Sequence, residues 1–364
     1  MIKAIRINSY RNLEGVKLEN LGLMNIIVGE NNTGKTSLLE SINLIKDENV
    51  LKNLIDGTRW REYRMTYLHE FRRNYELYHS VLNSFDLRQG SNKFLSVDFD
   101  TDFGEYSVGM KGTEFEDVIY PENIPQDMLV KGAAYLGEDN LNFNGLDGVY
   151  WYNEITTAME FTEMTPYRLK KAKAGVAIPV EYISPVTYYL ESTNYKKLSQ
   201  VIKDGYKDLL LDLLQGFDNN IYDLNIILDG NKPKVYLSNS ELEMVPLSLF
   251  GDGVKKALTV AASIICNRHG IILIDEIEIG IHKKALVNFF RWIMAAGKMC
   301  DTQIFATTHS IEAIDALLET VDEDMEADEI VAYRLETDKK HIVVKRFSQS
   351  KLMRLRNELG YDFR

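Results

Sequence analysis

The spacing of apolar residues divides the chain into a β-rich start, a weakly patterned middle and a regular α/β end. Residues 2–8 alternate apolar and polar, as a half-buried strand does, and 16–18 form a short run that pairs with it. Residues 24–28 are apolar almost without interruption, the pattern of a strand covered on both faces. From Lys35 onward Leu38, Leu39, Ile42 and Ile45 fall at helical spacing. An aromatic-laden helix is predicted over 59–85, carrying Arg59, Arg61, Arg64, Arg72 and Arg73, with strands at 94–99 and 105–110. Residues 120–177 scatter Gly, Asn and Pro with weak periodicity and read as an insertion or arm. Order returns in a strand at 180–183, helical patterns over 188–215, and strands at 221–228 and 234–237. The last third alternates: helix 254–267, strand 271–274, helix 282–296, strand 303–306, helix 311–318, then strands 330–334 and 341–345.

Strands alternating with helices predict an α/β fold, a mixed or parallel sheet flanked by helices, with an inserted helical and β arm. The expected organisation is an N-terminal lobe over 1–58, the insertion with some strands of that lobe over 59–178, and a C-terminal lobe over 179–364. At 364 residues and 45% hydrophobic, the chain can bury a core without disulfides or metals. Its cysteines, Cys266 and Cys300, form no CxxC pair and are expected to be small core residues of helices. The start reads as a strand rather than a signal peptide, and no apolar run approaches the roughly 20 residues of a membrane helix. A cytoplasmic protein with no membrane partner is therefore expected. A net charge of −12 argues against a surface that attracts nucleic acid as a whole, though a local basic groove is compatible with it. The acidic run 319–329 reads as a solvated loop.

Candidate chemistry begins at Gly29, Glu30, Asn31, Asn32, Thr33, Gly34, Lys35 and Thr36, followed by Ser37, which satisfies G-x-x-x-x-G-K-[ST] at every fixed position. It sits between a buried strand and an amphipathic helix, where glycines let successive N–H groups turn toward phosphates. The helix N-terminus adds partial positive charge, Lys35 neutralises β/γ-phosphate charge, and the Thr36 hydroxyl can ligate Mg²⁺. The strand at 271–274 ends in Asp275 and Glu276. Asp275 then stands where a parallel sheet presents its ligand crevice and can hold Mg²⁺, while Glu276 is suited to deprotonate an attacking water. GTP selectivity would call for N-K-x-D, and Asn231-Lys232-Pro233-Lys234 lacks the aspartate, so ATP is favoured.

Five blocks carry a family resemblance: the opening I-R-I-N-S-Y-R-N-L from Ile5, the phosphate loop, F-G-D-G-V-K-K from Phe250, L-I-D-E-I-E-I-G-I-H from Leu273, and A-T-T-H-S from Ala306. In this order they resemble the ABC/SMC-like P-loop ATPases, and more narrowly the prokaryotic group related to RecF and to the ATPase half of OLD-family nucleases. The resemblance is thin between about 50 and 180. It implies that Gly251, Asp252 and Gly253 occupy the place of the signature element that contacts ATP held by another subunit. Lys255 and Lys256 would add charge to that second anion site; the turn departs from LSGGQ in lacking the glutamine. It further implies a γ-phosphate-sensing switch at His309, an N-terminal arginine near nucleotide at Arg11, and Glu278 and His282 near a dimer seam. A Q-loop glutamine is expected, with Gln89 and Gln126 as undistinguished candidates.

The cofactors implied are ATP and Mg²⁺, and the partner implied is a second copy, or a higher homo-oligomer, completing composite ATP sites. No long heptad tract exists, and about 54 residues follow Ser310, too few for an appended nuclease domain. The layout resembles ATPases of anti-phage and abortive-infection modules, where a separate effector protein supplies toxicity. The alternative is a RecF-like repair ATPase acting on DNA. The arginines and Tyr63, Tyr67, Phe71, Tyr75 and Tyr78 of 59–85, or the basic patch 168–173, could contact nucleic acid or a protein.

Overall fold

The computed structural model describes residues 1–59, 70–120, 141–163, 178–185, 187, 191–321, 328–339 and 341–362. Its centre is a six-stranded sheet formed from distant parts of the sequence. These are β3 (Met24–Gly29), β8 (Val180–Ile183), β12 (Ile271–Ile274), β13 (Gln303–Thr307), β14 (Ile330–Asp338) and β15 (His341–Phe347). The spatial order is β15-β14-β3-β13-β12-β8, parallel throughout except for β15. Every residue of β3, β12 and β13 is buried. Alternation therefore feeds two cores: Met24, Ile26, Ile272, Ile274 and Ile304 point to one side, and Ile27, Ile271, Leu273 and Phe305 to the other. Each such side chain contributes about 1.5–3 kcal/mol by leaving water.

The first side is covered by α4 (Glu191–Lys203), α5 (Lys207–Gln215), α6 (Asp252–Cys266), α7 (Lys283–Cys300) and α8 (Ile311–Leu318), through Leu198, Leu213, Val260, Phe289 and Ile314. The second is filled by α1 (Lys35–Ile42), whose Leu38, Leu39 and Ile42 are fully buried. Beyond α1 lies an antiparallel sheet of order β2-β1-β4-β5-β6-β7. It comprises β1 (Ile2–Tyr10), β2 (Leu13–Glu19), β4 (Asn92–Thr101), β5 (Gly104–Ile119), β6 (Leu141–Tyr152) and β7 (Ile155–Thr162). Ile5, Ile7, Val97 and Val108 face α1. A small antiparallel sheet of β9 (Ile221–Asp229), β10 (Lys232–Asn239) and β11 (Glu243–Pro246) precedes α6. Helices α2 (Val50–Arg59), α3 (Glu70–Leu82) and α9 (Gln349–Leu359) complete the described α-helices.

Several expectations need correction. The described part of the expected arm, β6 and β7, continues the sheet of β1 and β2, with Gly145 seating the Phe115 ring on its neighbouring strand. The helical pattern over 188–215 is two helices, parted where Gly205 turns at φ +82°. Helices α2 and α9 and strand β11 were not foreseen. Cys300 is buried as expected, but Cys266 is exposed at the end of α6. Of the aromatics offered as contacts, Tyr78 is fully buried and Tyr75 is exposed. Arg61, Arg64, Tyr63, Tyr67, Gln126, the patch 168–173 and acids 322–327 lie outside the described residues, as do the side chains of Arg59, Phe71, Arg72 and Arg73. No helix among the described residues is long and apolar enough to cross a membrane.

Candidate active site

The C-terminal ends of β3, β8, β12 and β13 all meet one cleft of about 1120 Å³, the crevice that parallel connectivity leaves at that edge. The loop after β3 reverses sharply. Gly29 adopts φ +143°, Asn32 +65° and Gly34 +94°, the left-handed conformations that glycine, and next to it asparagine, take at least cost. A Cβ on Gly29 would lie 2.4 Å from the Leu335 carbonyl oxygen, so the first glycine is also required sterically. Thr33 Oγ1 donates to the Glu30 carbonyl at 2.9 Å and pins the loop. Lys35 opens α1 with its ammonium on the carbonyls of Gly29 (2.8 Å) and Glu30 (2.7 Å). Burial lowers its pKa, against the pull of Asp275 and Glu276.

At the end of β12, three hydroxyls converge on the Asp275 carboxylate. Thr36 Oγ1 donates at 3.1 Å, the Tyr182 hydroxyl of β8 at 3.1 Å, and Thr307 Oγ1 of β13 at 2.6 Å. Thr307 Oγ1 also accepts the Glu276 N–H at 2.8 Å. Glu276 itself sits at φ +51°, which turns the chain and aims the residue at the cleft. Its carboxyl pKa is raised, first by burial, then by Asp275 and Glu278, with His309 and Lys256 opposing. A carboxylate held in that way is a better proton acceptor than a solvated one.

Gly34, Asn31, Asn32, Lys35, Thr36 and Ser37 line the cleft together with Arg11, Asp275, Glu276 and His309, so most of the residues singled out in the sequence come together. Arg11 occupies the β1–β2 turn at φ +54°, tied by its N–H to the Ser84 carbonyl (2.9 Å) and by its guanidinium to Glu40 of α1 (3.1 Å). Gly251, Asp252 and Gly253 do not line this cleft; they form a turn at the start of α6, where Gly251 is exposed and has open space around its Cα.

Lys255 pairs with Asp252 (3.3 Å), but Lys256 departs from the expectation of a second anion site. It is fully buried, and its ammonium donates to the Glu276 carbonyl at 2.5 Å. Glu278 also turns inward, Oε1 accepting the His309 N–H at 3.0 Å, whereas His282 is exposed and caps α7. Gln89 spends its side-chain amide on the Phe94 backbone and Ser9, and does not line the cleft. Tyr182 and Thr307 were not assigned roles from sequence, because a strand tyrosine and a strand-end threonine look like ordinary sheet residues. The Thr36 hydroxyl beside the Asp275 carboxylate is a hard-oxygen donor set, which suits Mg²⁺.

Comparisons with known proteins agree with this architecture. A family model described as "AAA ATPase domain" matches residues 1–117. A second, described as "AAA domain, putative AbiEii toxin, Type IV TA system", matches 163–315. The chain is 24% identical to an ATP/GTP phosphatase of Helicobacter pylori, over 94% of each chain. It is 30% identical over 114 residues to the uncharacterised protein MJECL11 of Methanocaldococcus jannaschii, covering 31% of this chain and 98% of that one. Among solved structures, the SmcHead bound to the C-winged helix domain of ScpA superposes with a TM-score of 0.50 at 12% identity, over 97% of this chain and 99% of that one. The chain therefore has an SMC-head-like P-loop NTPase fold, and residues 1–117 and 163–315 are each similar to an AAA-type ATPase domain.

Proposed function

We propose that this ATPase is a nucleotide-gated switch: ATP closes two copies on each other, and the closed assembly controls a separate effector protein. In this reading the phosphates lie on the N–H groups of residues 29–37, with Lys35 supplying positive charge and Arg11 flanking the nucleotide. Thr36 and Asp275 would hold Mg²⁺, which when bound neutralises phosphate charge. Glu276 takes a proton from the attacking water as the oxygen bonds the γ-phosphorus and the bond to the β-phosphate oxygen breaks. His309 responds to the γ-phosphate. Residues 1–58 and 179–364 supply the two ATPase lobes, and within 59–178 the strands β4 to β7 extend the sheet that β1 and β2 begin.

The observation that carries the switch is the separation of the 251–253 turn from the cleft. A glycine turn opening a 15-residue helix can receive an anion, and Gly251 at the head of this one is exposed. Support for an effector comes from the SMC-head relative, which is described bound to a partner domain. Support for a defence or toxin–antitoxin setting comes from the AbiEii-type match.

Mixing two inactive variants tests composite sites. Gly251→Trp meets open space and should fold normally, yet block docking of the turn. Gly251→Trp and Lys35→Ala should each fail to hydrolyse ATP, and a mixture should regain activity, because one kind of site in the mixed dimer is intact. Wild-type turnover by Gly251→Trp, or a mixture as inactive as its components, would remove the composite site.

A further inference from the structure

Lys256 is among the largest fully buried side chains of the molecule, 0% exposed in the second turn of α6. An apolar side chain of similar volume would fill that position without desolvating a charge. Burial pulls the ammonium pKa down to about 8, while Glu278, Glu276 and Asp275 favour the cation. What the ammonium grips is the carbonyl of Glu276, at 2.5 Å.

That peptide is held from both sides. The Glu276 N–H is fixed by Thr307 Oγ1 at 2.8 Å, and the next N–H, of Ile277, by the Thr307 carbonyl at 3.0 Å. The Lys256 ammonium holds the opposite edge, across a residue at φ +51°, a conformation that a glutamate adopts only when its surroundings impose it. Two residues on, Glu278 Oε1 accepts the His309 N–H. The start of α6 touches the same loop a second time: a Cβ on Gly253 would lie 2.8 Å from the Gly280 carbonyl oxygen, so backbone packs on backbone there.

We infer that Lys256 is a positioning residue for hydrolysis: by holding the Glu276 carbonyl it aims the Glu276 carboxylate into the cleft and ties that aim to the 251–253 turn at the head of its own helix. The inference rests on the role proposed for Glu276. Lys256 does not line the cleft and acts through the strand-end loop. A group that docks on the turn bears on the helix that carries this contact, so closure and hydrolysis share one mechanical element within a single chain.

The test is a double-mutant cycle with Lys256→Met and Glu276→Gln, scored by kcat, KM and the affinity for a fluorescent ATP analogue. Lys256→Met should lower kcat about tenfold or more while KM and analogue affinity stay within about twofold. Added to Glu276→Gln, it should cost nothing further, because the residue it positions has already been disabled. Equal proportional losses in both backgrounds, or a rise in KM without a fall in kcat, would overturn the inference and leave Lys256 a packing residue. If Lys256→Met no longer binds the analogue, Lys256→Gln, neutral but still an N–H donor, is scored by the same criteria. Glu276→Gln turning over like wild type would remove the underlying role of Glu276. Stalled Glu276→Gln beside wild-type Lys256→Met would remove this inference alone.

Discussion

The two six-stranded sheets flank the same helix, α1, yet only one of them brings the ends of four strands to the cleft. In the parallel sheet, strands β3, β8, β12 and β13 run the same way, so their C-terminal ends deliver the phosphate loop, Tyr182, Asp275 with Glu276, and Thr307 with His309 to one cleft. In the antiparallel sheet, successive strands reverse, and Arg11 in the β1–β2 turn and residues just before β4 reach that cleft. Connectivity therefore divides the labour: the parallel sheet gathers reactive groups, and the antiparallel sheet supplies a wall against which α1 is fixed.

The largest loss should come from disabling the parallel edge. Glu276→Gln should lower turnover by about 10²–10⁴ while nucleotide still binds, since only the proton acceptor is removed. Retained turnover, measured by phosphate release, would contradict the assignment of that residue. Lys35→Ala should weaken ATP binding by about 2–5 kcal/mol, the cost typical of truncating one partner of a desolvated charge contact. Calorimetric titration showing unchanged affinity would place the phosphates elsewhere.

The opposite sheet should answer differently. Leu95 of β4 is fully buried, and Leu95→Ala should cost about 2–5 kcal/mol in denaturant unfolding. The protein that remains folded should keep its kcat; a loss of kcat in proportion to stability would mean that the wall also shapes the chemistry. The smallest expected effect is a shift in pH dependence. Burial, Asp275 and Glu278 raise the Glu276 pKa, so turnover should fall as the pH drops through a value above the ordinary glutamate range. Glu278→Gln removes one like charge, favours the carboxylate and should move that acid limb to lower pH. An unmoved limb would detach it from Glu276.

The sheets also differ in how legibly the sequence carries them. Strands β3 and β12 could be read because burial on both faces leaves apolar runs, broken in β3 by Asn25, and each run ends in the residues of the site. The phosphate loop could be read because its glycine spacing is dictated by backbone conformation, as the φ values at Gly29 and Gly34 show. Strands β6 and β7 were obscured by Gly145 and Gly148. These look like loop residues, but one seats the Phe115 ring and the other lies against the Lys111 carbonyl. Lys256 was misread for a related reason. A lysine beside another lysine on a helix looks like surface charge, and only the chain fold shows that it donates to a carbonyl twenty residues away. Tyr182 was hidden because its hydroxyl meets Asp275 through a parallel pairing across 93 positions of sequence.

The most direct test of the account is the mass of the Glu276→Gln protein in solution, by light scattering, with and without Mg²⁺–ATP. The account predicts a mass that doubles with ATP and returns when Lys35→Ala is introduced into the same chain. A monomer that stays a monomer at saturating ATP would contradict the nucleotide-gated dimer.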